Sequence, residues 1–220
     1  MLGYVQIIFE AIAFIVALIF CKELLLKGWG ILLPILYFTP ILEVWGTLLA
    51  EKKINNAWLY NPYIIISFGL YGWLLLKDSI LKNQYKNLSV LFIALLSFSF
   101  FIWYFIWGNN KEIINRILNV TSLLICFFCI LFYYTHLRKP AEYISILLIP
   151  GFWFSTGLLI FYSGISLYSS IYPYLAKARI NISNIPIQNL IPQVLSMILY
   201  SFIIVSIIRC RKYNKIISSI

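Results

Sequence analysis

Two glutamates, Glu10 and Glu43, lie within long apolar stretches of the sequence. A carboxylate inside a membrane segment is a functional candidate by default, because its burial is costly. Glu43 stands in the stretch FTPILEVWG, where Thr39 precedes it by one helical turn and shares its helix face. Pro40 leaves a backbone carbonyl without a partner in the preceding turn. We expect Glu43 either to anchor packing by a hydrogen bond to a neighbouring helix, or to face a ligand or a proton path. The same two interpretations apply to Glu10. It lies near the start of the first apolar stretch, where water or a polar partner is able to reach it.

A polar turn, KKINNAWLYN, follows this stretch. Its asparagines, from Asn55 to Asn61, supply amide donors and acceptors, and its tryptophan and tyrosine supply flat apolar faces. This combination suits a tight interfacial turn or the outer lip of a pocket. Tyr63, Ser67 and Tyr71 then recur every four residues and form a mildly polar stripe that is able to face the carboxylate. The candidate ligand-binding residues are Glu43, Thr39, Asn56, Trp58, Tyr60, Asn61, Tyr63, Ser67 and Glu10.

Four residues that disturb or loosen helices are candidate hinges. Pro40 and Gly46 flank Glu43, and a glycine there lets another helix approach closely. Pro150 and Gly151 interrupt a later apolar stretch that also carries a pattern of small residues. Each pair is typical of a kinked, tightly packed helix, or of a hinge that carries a conformational signal.

The remaining polar residues do not assemble into a catalytic or metal-binding set. His136 is the only histidine and Asp78 the only aspartate, which argues against a Ser/His/Asp triad, a two-aspartate protease and paired haem ligands. Cys126 and Cys129 share a helix face, but no histidine lies near them in the sequence to complete a zinc site. We predict no catalytic residue, no metal and no cofactor. A lipid-modifying enzyme is therefore the weakest of the functions considered.

The elements that must position these residues are membrane helices. The chain is 62% hydrophobic and 11% charged, against about 45–50% and about 25% in soluble domains. The apolar residues form runs of about 20, the length that crosses a bilayer as a helix. We predict one all-α domain, a polytopic transmembrane bundle over residues 1–220, and we read the first run as a retained span rather than a signal peptide. The seven predicted spans are about 4–20, 28–49, 60–76, 88–107, 117–134, 144–166 and 187–208; a six-span reading would omit the third.

Basic residues in the loops predict the orientation. With seven spans, six of the 17 Lys and Arg residues fall on the N-terminal side and eleven on the other. The positive-inside rule then places the N-terminus outside and the basic tail, residues 209–220, in the cytoplasm. The net charge of +10 is explained by attraction to anionic lipid, so we predict the bilayer and not a nucleic acid as its partner.

The sequence resembles a family of small, uncharacterised seven-span proteins from Bacteroidota, over about two-thirds of its length. Glu43 and Gly46 match a Glu-x-x-Gly pair of that family, and the turn from Asn55 to Asn61 matches its Asn-Asn-x-Trp-x-Tyr-Asn segment. The stretch from Pro150 to Gly164 matches its Pro-x-Phe-Trp…Gly…Tyr-x-Ser-Gly segment. Many relatives carry an acidic residue in the third span, where this chain has Ile66 and Ser67. The resemblance implies a bacterial inner-membrane location and genes that neighbour sensor histidine kinases or CRISPR effectors, and it implies no known reaction.

These observations favour a non-enzymatic sensor or accessory protein. It would relay a membrane or extracellular signal to a cytoplasmic partner, a histidine kinase or a defence effector. The alternative is a small-solute transporter or a homo-oligomeric pore that uses a midplane carboxylate, since transport folds combine broken helices with buried carboxylates.

Overall fold

Helices make up almost all of the described structure, a computed structural model that describes residues 2–52, 54, 56–78, 83–107, 111–137, 145–178, 181–182 and 185–217. The predicted all-helical class is confirmed. A short 3₁₀ turn, Ile146–Leu148, precedes α7, and a two-residue antiparallel pair, β1 (Asn181–Ile182) with β2 (Ile185–Pro186), joins α7 to α8. The helices are α1 Leu2–Ile19, α2 Cys21–Lys27, α3 Leu32–Glu51, α4 Ala57–Asp78, α5 Asn83–Trp107, α6 Lys111–Leu137, α7 Pro150–Ala178 and α8 Ile187–Ile217.

Five of the described helices, α3, α4, α6, α7 and α8, are long and apolar enough to cross a membrane. The α1–α2 pair, bent by 76° at its break, makes a sixth candidate if it counts as one span. The apolar part of α5, Ile93–Ile106, is shorter. A multi-pass membrane protein is therefore confirmed, and the span count of seven stays a prediction. The third predicted span, which the six-span reading omits, corresponds to Trp58–Asp78, a segment that is long and apolar enough to cross a membrane.

Large apolar side chains cover the outside of the bundle as well as its core. Phe105 is 76% exposed and Leu26 is 70% exposed. In water, so many exposed large apolar residues would form an aggregation-prone patch, whereas lipid tails solvate them. The interior is filled chiefly by Trp29, Phe68 and Phe154, each at most 1% exposed.

Three groups of helices bury this core. α1 packs against α3 and α8, α7 packs against α6 and α8, and α4 packs against α5 and α6. Contacts between distant parts of the chain place the ends of α2, α4 and α8 together with the start of α7. We call this the Lys27 end of the bundle, and the opposite end, with the α3–α4 turn and the start of α1, the Glu10 end.

The bounds of α7 differ from those of the sixth predicted span. α7 begins at Pro150 rather than near position 144, and it continues to Ala178 rather than ending near 166. Pro150 therefore occupies the first helical position, where its missing N–H leaves no hydrogen bond unmade, so it does not break a continuous helix. The tail from Arg209 onward is helical as far as Ile217. Of the basic residues used for orientation, Lys53, Lys82, Arg138, Lys139 and Arg179 lie outside the described residues.

Candidate functional site

Glu43, on α3, forms a hydrogen bond with a residue of α4 across the α3–α4 turn. Tyr60, in the first turn of α4, donates a hydrogen bond of 3.0 Å from its hydroxyl to Glu43 Oε2. Gly46 makes this approach possible, because a Cβ at that position would lie 2.6 Å from Tyr60 Cζ. Asn56 closes the turn by donating from Nδ2 to the Gly46 carbonyl at 3.2 Å. The half-buried Glu43 thus faces α4.

Glu10 enters the same region from α1 and is only 1% exposed. Gln6, one turn earlier, donates from Nε2 to Glu10 Oε1 at 2.9 Å. Glu10 Oε2 is buried and has no hydrogen-bond partner among the described residues. Glu43 is close enough to Glu10 for a direct electrostatic interaction between the two carboxyl groups. Two acidic side chains from different helices therefore share one polar site at the Glu10 end.

The shared helix face suggests that Thr39 pairs with Glu43, but the hydroxyl of Thr39 has other partners. Its hydroxyl donates to the Ile35 carbonyl at 2.8 Å, a bond to the preceding turn. It also forms a hydrogen bond with the hydroxyl of Tyr63 on α4. The two hydroxyls hold α3 against α4 one turn deeper than the Glu43–Tyr60 bond.

Buried tyrosines extend this polar region into the bundle. Tyr63 interacts electrostatically with Tyr71, on its own helix, and with Tyr200 of α8. Glu10 interacts electrostatically with all three phenols. On α7, the buried Tyr162 also interacts electrostatically with Tyr63. We call the following set the carboxylate–tyrosine cluster: Glu10, Glu43, Thr39, Tyr60, Tyr63, Tyr71 and Tyr200.

The sequence did not single out Tyr200 as a site residue. It lies in the middle of an aliphatic stretch rather than at a predicted span end, and it is 4% exposed. A tyrosine at such a depth must bury its hydroxyl, so it needs a polar partner. The position of Tyr200 in the middle of a span is the sequence signal that could have identified it.

The other predicted site residues do not join the cluster. Trp58 is 51% exposed and packs edge to face against Trp45 at 6.0 Å, as an interfacial anchor does. Asn61 is buried and lines a cavity of about 10 Å³ together with Tyr104 and Ile117. Ser67 donates to the Ile64 carbonyl at 3.0 Å, and Asn55 lies outside the described residues.

The predicted hinge residues occupy two different settings. Pro40 lies within α3 and has no N–H to give to the Leu36 carbonyl, so it weakens that helix one turn before Glu43. Gly151 lies at the start of α7, where a Cβ would meet Asp78 Oδ2 at 2.7 Å. Ser206 of α8 donates to the Pro150 carbonyl at 2.8 Å. The start of α7 is therefore a close junction with α4 and α8.

An ion pair at the Lys27 end was not predicted. Lys27 Nζ lies 3.0 Å from Asp78 Oδ1, and the two side chains are only 14% and 10% exposed. Trp29 donates from Nε1 to the same oxygen at 3.4 Å. The Lys27 ammonium also lies 4.5 Å from the ring centre of Tyr213, near the end of α8. Asn214 adds a bond of 3.0 Å to the Glu23 carbonyl of α2.

Aromatic rings connect the two ends of the bundle. The Tyr71 ring, which belongs to the carboxylate–tyrosine cluster, lies 5.8 Å from the ring of Phe154. Phe154 lies 5.2 Å from Trp29, which bonds Asp78. We call Tyr71, Phe154 and Trp29 the aromatic bridge. Its rings are buried and in contact, so a shift of one requires its neighbours to repack.

An apolar groove of about 430 Å³ lies on the outer side of α3, away from Glu43. The groove is lined by Pro40, Ile41, Val44, Trp45 and Leu48.

Among the described residues, no group of three or more His, Cys, Asp and Glu side chains is arranged to hold a metal ion.

No known family model, curated protein or solved structure matches this chain. The resemblance to the Bacteroidota membrane proteins therefore stays a prediction from the quoted motifs.

Proposed function

We propose that this chain is a non-enzymatic sensor or accessory protein of a bacterial inner membrane. It has seven spans, with the N-terminus outside and the C-terminus in the cytoplasm. A change at the carboxylate–tyrosine cluster alters the Lys27 end, where a cytoplasmic protein reads it. The observation that supports this most is the continuous contact from Tyr71, a member of the cluster, through Phe154 and Trp29 to the Lys27–Asp78 pair.

The cluster has the properties of an input site. Its two carboxyl groups come from α1 and α3, so their mutual repulsion or attraction bears directly on how those helices pack. Pro40 lowers the resistance of α3 to bending beside Glu43. A change in the charge of the pair is thus converted into a change in helix position.

The Lys27 end has the properties of an output site. Tyr213 and Asn214 tie the end of α8 to α2. The same stretch of α8 carries Arg211 and Lys212, both exposed. An acidic surface of a partner protein, such as the histidine kinase or defence effector that the resemblance implies, would pair with these charges. The same charges hold the tail near anionic lipid in the absence of a partner.

A distance measurement at the Lys27 end tests the relay. Spin labels on Lys22→Cys and Lys212→Cys, in a full-length chain whose native cysteines are replaced, report the separation of α2 and α8 in nanodiscs. Glu43→Gln should shift the distance distribution, whereas the matched control Glu51→Gln, at the exposed end of the same helix, should not. The Trp29→Leu variant should abolish the shift, because it removes the bridge. An unchanged distribution in Glu43→Gln rules out the relay.

The carboxylate pair also favours a second candidate, cation transport by a monomer or a homo-oligomer. Transport folds place carboxylates beside broken helices in the interior of a bundle. Phe154 and Trp29 are at most 1% exposed and separate the cluster from the Lys27 end, so this function requires them to move aside. Reconstitution into liposomes decides: cation flux that Glu43→Gln abolishes supports transport, and absence of flux supports the sensor.

A further inference from the structure

The charges around Glu10 and Glu43 do not balance. The sequence has no Lys or Arg between Met1 and Cys21, none between Gly28 and Glu51, and none between Ile54 and Leu76. These segments supply α1, α3 and most of α4. The ion pair at Lys27 belongs to the opposite end of the bundle. Two ionised carboxylates in a poorly hydrated interior require a positive charge nearby, and no Lys or Arg of these three segments provides one.

The hydrogen bonds of the pair also leave one position open. Gln6 satisfies Glu10 Oε1, and Tyr60 satisfies Glu43 Oε2. Glu10 Oε2 is buried and unpartnered, on a side chain that is 1% exposed and that interacts with Glu43. Buried polar atoms in folded proteins rarely lack a hydrogen-bond partner, so Glu10 Oε2 is a position where an ion, a proton or a water molecule would bind.

We infer that Glu10 and Glu43 together bind one monovalent cation, a proton or a sodium ion, which bridges Glu10 Oε2 and the carboxyl group of Glu43. This inference rests on the proposed function and names its input: the sensor responds to the pH or the sodium concentration outside the membrane. Binding replaces the repulsion between the carboxylates by an attraction that draws α1 toward α3.

The chemistry of the site fits a single positive charge. Among the described residues, the titratable groups of other helices that interact electrostatically with Glu10 are Glu43 on α3, Tyr60, Tyr63 and Tyr71 on α4, and Tyr200 on α8. Phenol and amide oxygens add neutral ligands to the two carboxylates. A divalent metal site ordinarily uses more anionic or imidazole ligands, and the described residues contain no group of three. The charged residues of α2 lie toward the Lys27 end.

Thermal unfolding tests the sodium form. The full-length protein in nanodiscs is heated in NaCl and in choline chloride at equal ionic strength, and the melting temperature is followed by tryptophan fluorescence. A bound sodium ion should raise Tm by about 3 °C or more in saturating NaCl, since a ligand that binds only the folded state stabilises it. Glu10→Gln and Glu43→Gln should lose this rise, and Glu51→Gln should keep it.

Infrared spectroscopy tests the proton form. If sodium leaves Tm unchanged, the wild-type protein near neutral pH should show the C=O stretch of a protonated carboxyl group. Glu10→Gln should remove that band, and Glu10→Asp, which keeps a carboxyl group, should move it. Both readouts are taken first on the wild-type chain, so a variant that fails to fold does not prevent a decision. A wild-type protein with neither a sodium-dependent Tm nor a protonated carboxyl band overturns the inference.

The two proposals fail in different ways. If the cation binds but the spin-label distances at the Lys27 end do not respond to it, the binding site stands and the relay is wrong. If Glu43→Gln shifts those distances while neither cation assay responds, the relay stands and the ligand is wrong.

Discussion

Tyr60 donates its hydroxyl to Glu43 Oε2 at 3.0 Å, and this bond joins the last turns of α3 to the first turn of α4. The α3–α4 turn separates the two residues along the chain, and the Tyr60 ring packs against Gly46. Their pairing therefore depends on the space that Gly46 leaves for the ring as well as on the hydrogen bond itself. Each of these features can be removed separately.

Replacing Tyr60 by phenylalanine keeps the ring and removes the hydrogen bond. Glu43 Oε2 then loses its donor in a half-buried site, and we expect the free energy of unfolding to fall by about 1–2 kcal/mol. Denaturant unfolding in mixed micelles measures this. The control is Tyr37→Phe, which removes a hydroxyl from a tyrosine of α3 that is 46% exposed, and it should change the free energy by less than about 0.5 kcal/mol.

Replacing Gly46 by alanine tests the fit. The new Cβ would lie 2.6 Å from Tyr60 Cζ, so the tyrosine must move and its bond to Glu43 is lost. We expect a destabilisation of about 1–3 kcal/mol, although alanine is the better helix former. Gly72→Ala is the matched control, because its Cβ would lie 3.0 Å from the flexible end of Ile93 and in ordinary contact, 3.4 Å, with the Phe128 ring.

A double-mutant cycle separates the clash from the helix propensity. In a Tyr60→Ala background the ring is absent, and Gly46→Ala should then be neutral or stabilising. If Gly46→Ala costs the same with and without the tyrosine ring, the packing described here is wrong.

The sequence predicted the helical class and the importance of Glu43, because both follow from local composition. Runs of about 20 apolar residues predict membrane helices whatever their packing. Partners depend on how helices meet, and that is not encoded in spacing along one helix. Thr39 shares a face with Glu43, yet its hydroxyl bonds Tyr63 of α4 and the Ile35 carbonyl of its own helix.

The Lys27–Asp78 pair shows the same limit. The two residues are 51 positions apart (78 − 27), and the sequence around each is typical of the charged end of a span. Tyr200 likewise joins the cluster through the packing of α8 in the bundle, where it interacts with Tyr63 and Tyr71 of α4 and with Glu10 of α1. The start of α7 was misplaced because an apolar run does not distinguish a helix from the 3₁₀ turn that precedes Pro150.

Replacing Asp78 by asparagine should destabilise the Lys27 end. Lys27 would remain largely buried without its counter-ion, and we expect a loss of about 3 kcal/mol in the free energy of unfolding. The double variant Lys27→Met/Asp78→Asn removes both charges and should recover at least half of that loss. A single variant as stable as the wild type would show that the pair is hydrated and unimportant for stability.

The orientation can be measured with single cysteines placed at Lys52 and Lys212, two exposed positions at opposite ends of the bundle. In a chain whose four native cysteines are replaced, a membrane-impermeant maleimide should label position 52 in intact right-side-out vesicles. It should label position 212 only after permeabilisation, and the cysteine-free chain should not be labelled. The physical reason is the excess of Lys and Arg on the side that holds the tail. Labelling of position 212 alone in intact vesicles would reverse the orientation, and it would move the carboxylate pair to the cytoplasmic half of the membrane. Labelling of both positions from the same side would mean that an odd number of the five helices α4 to α8 fails to span, and α5, with its short apolar part, would be the first helix to reassign.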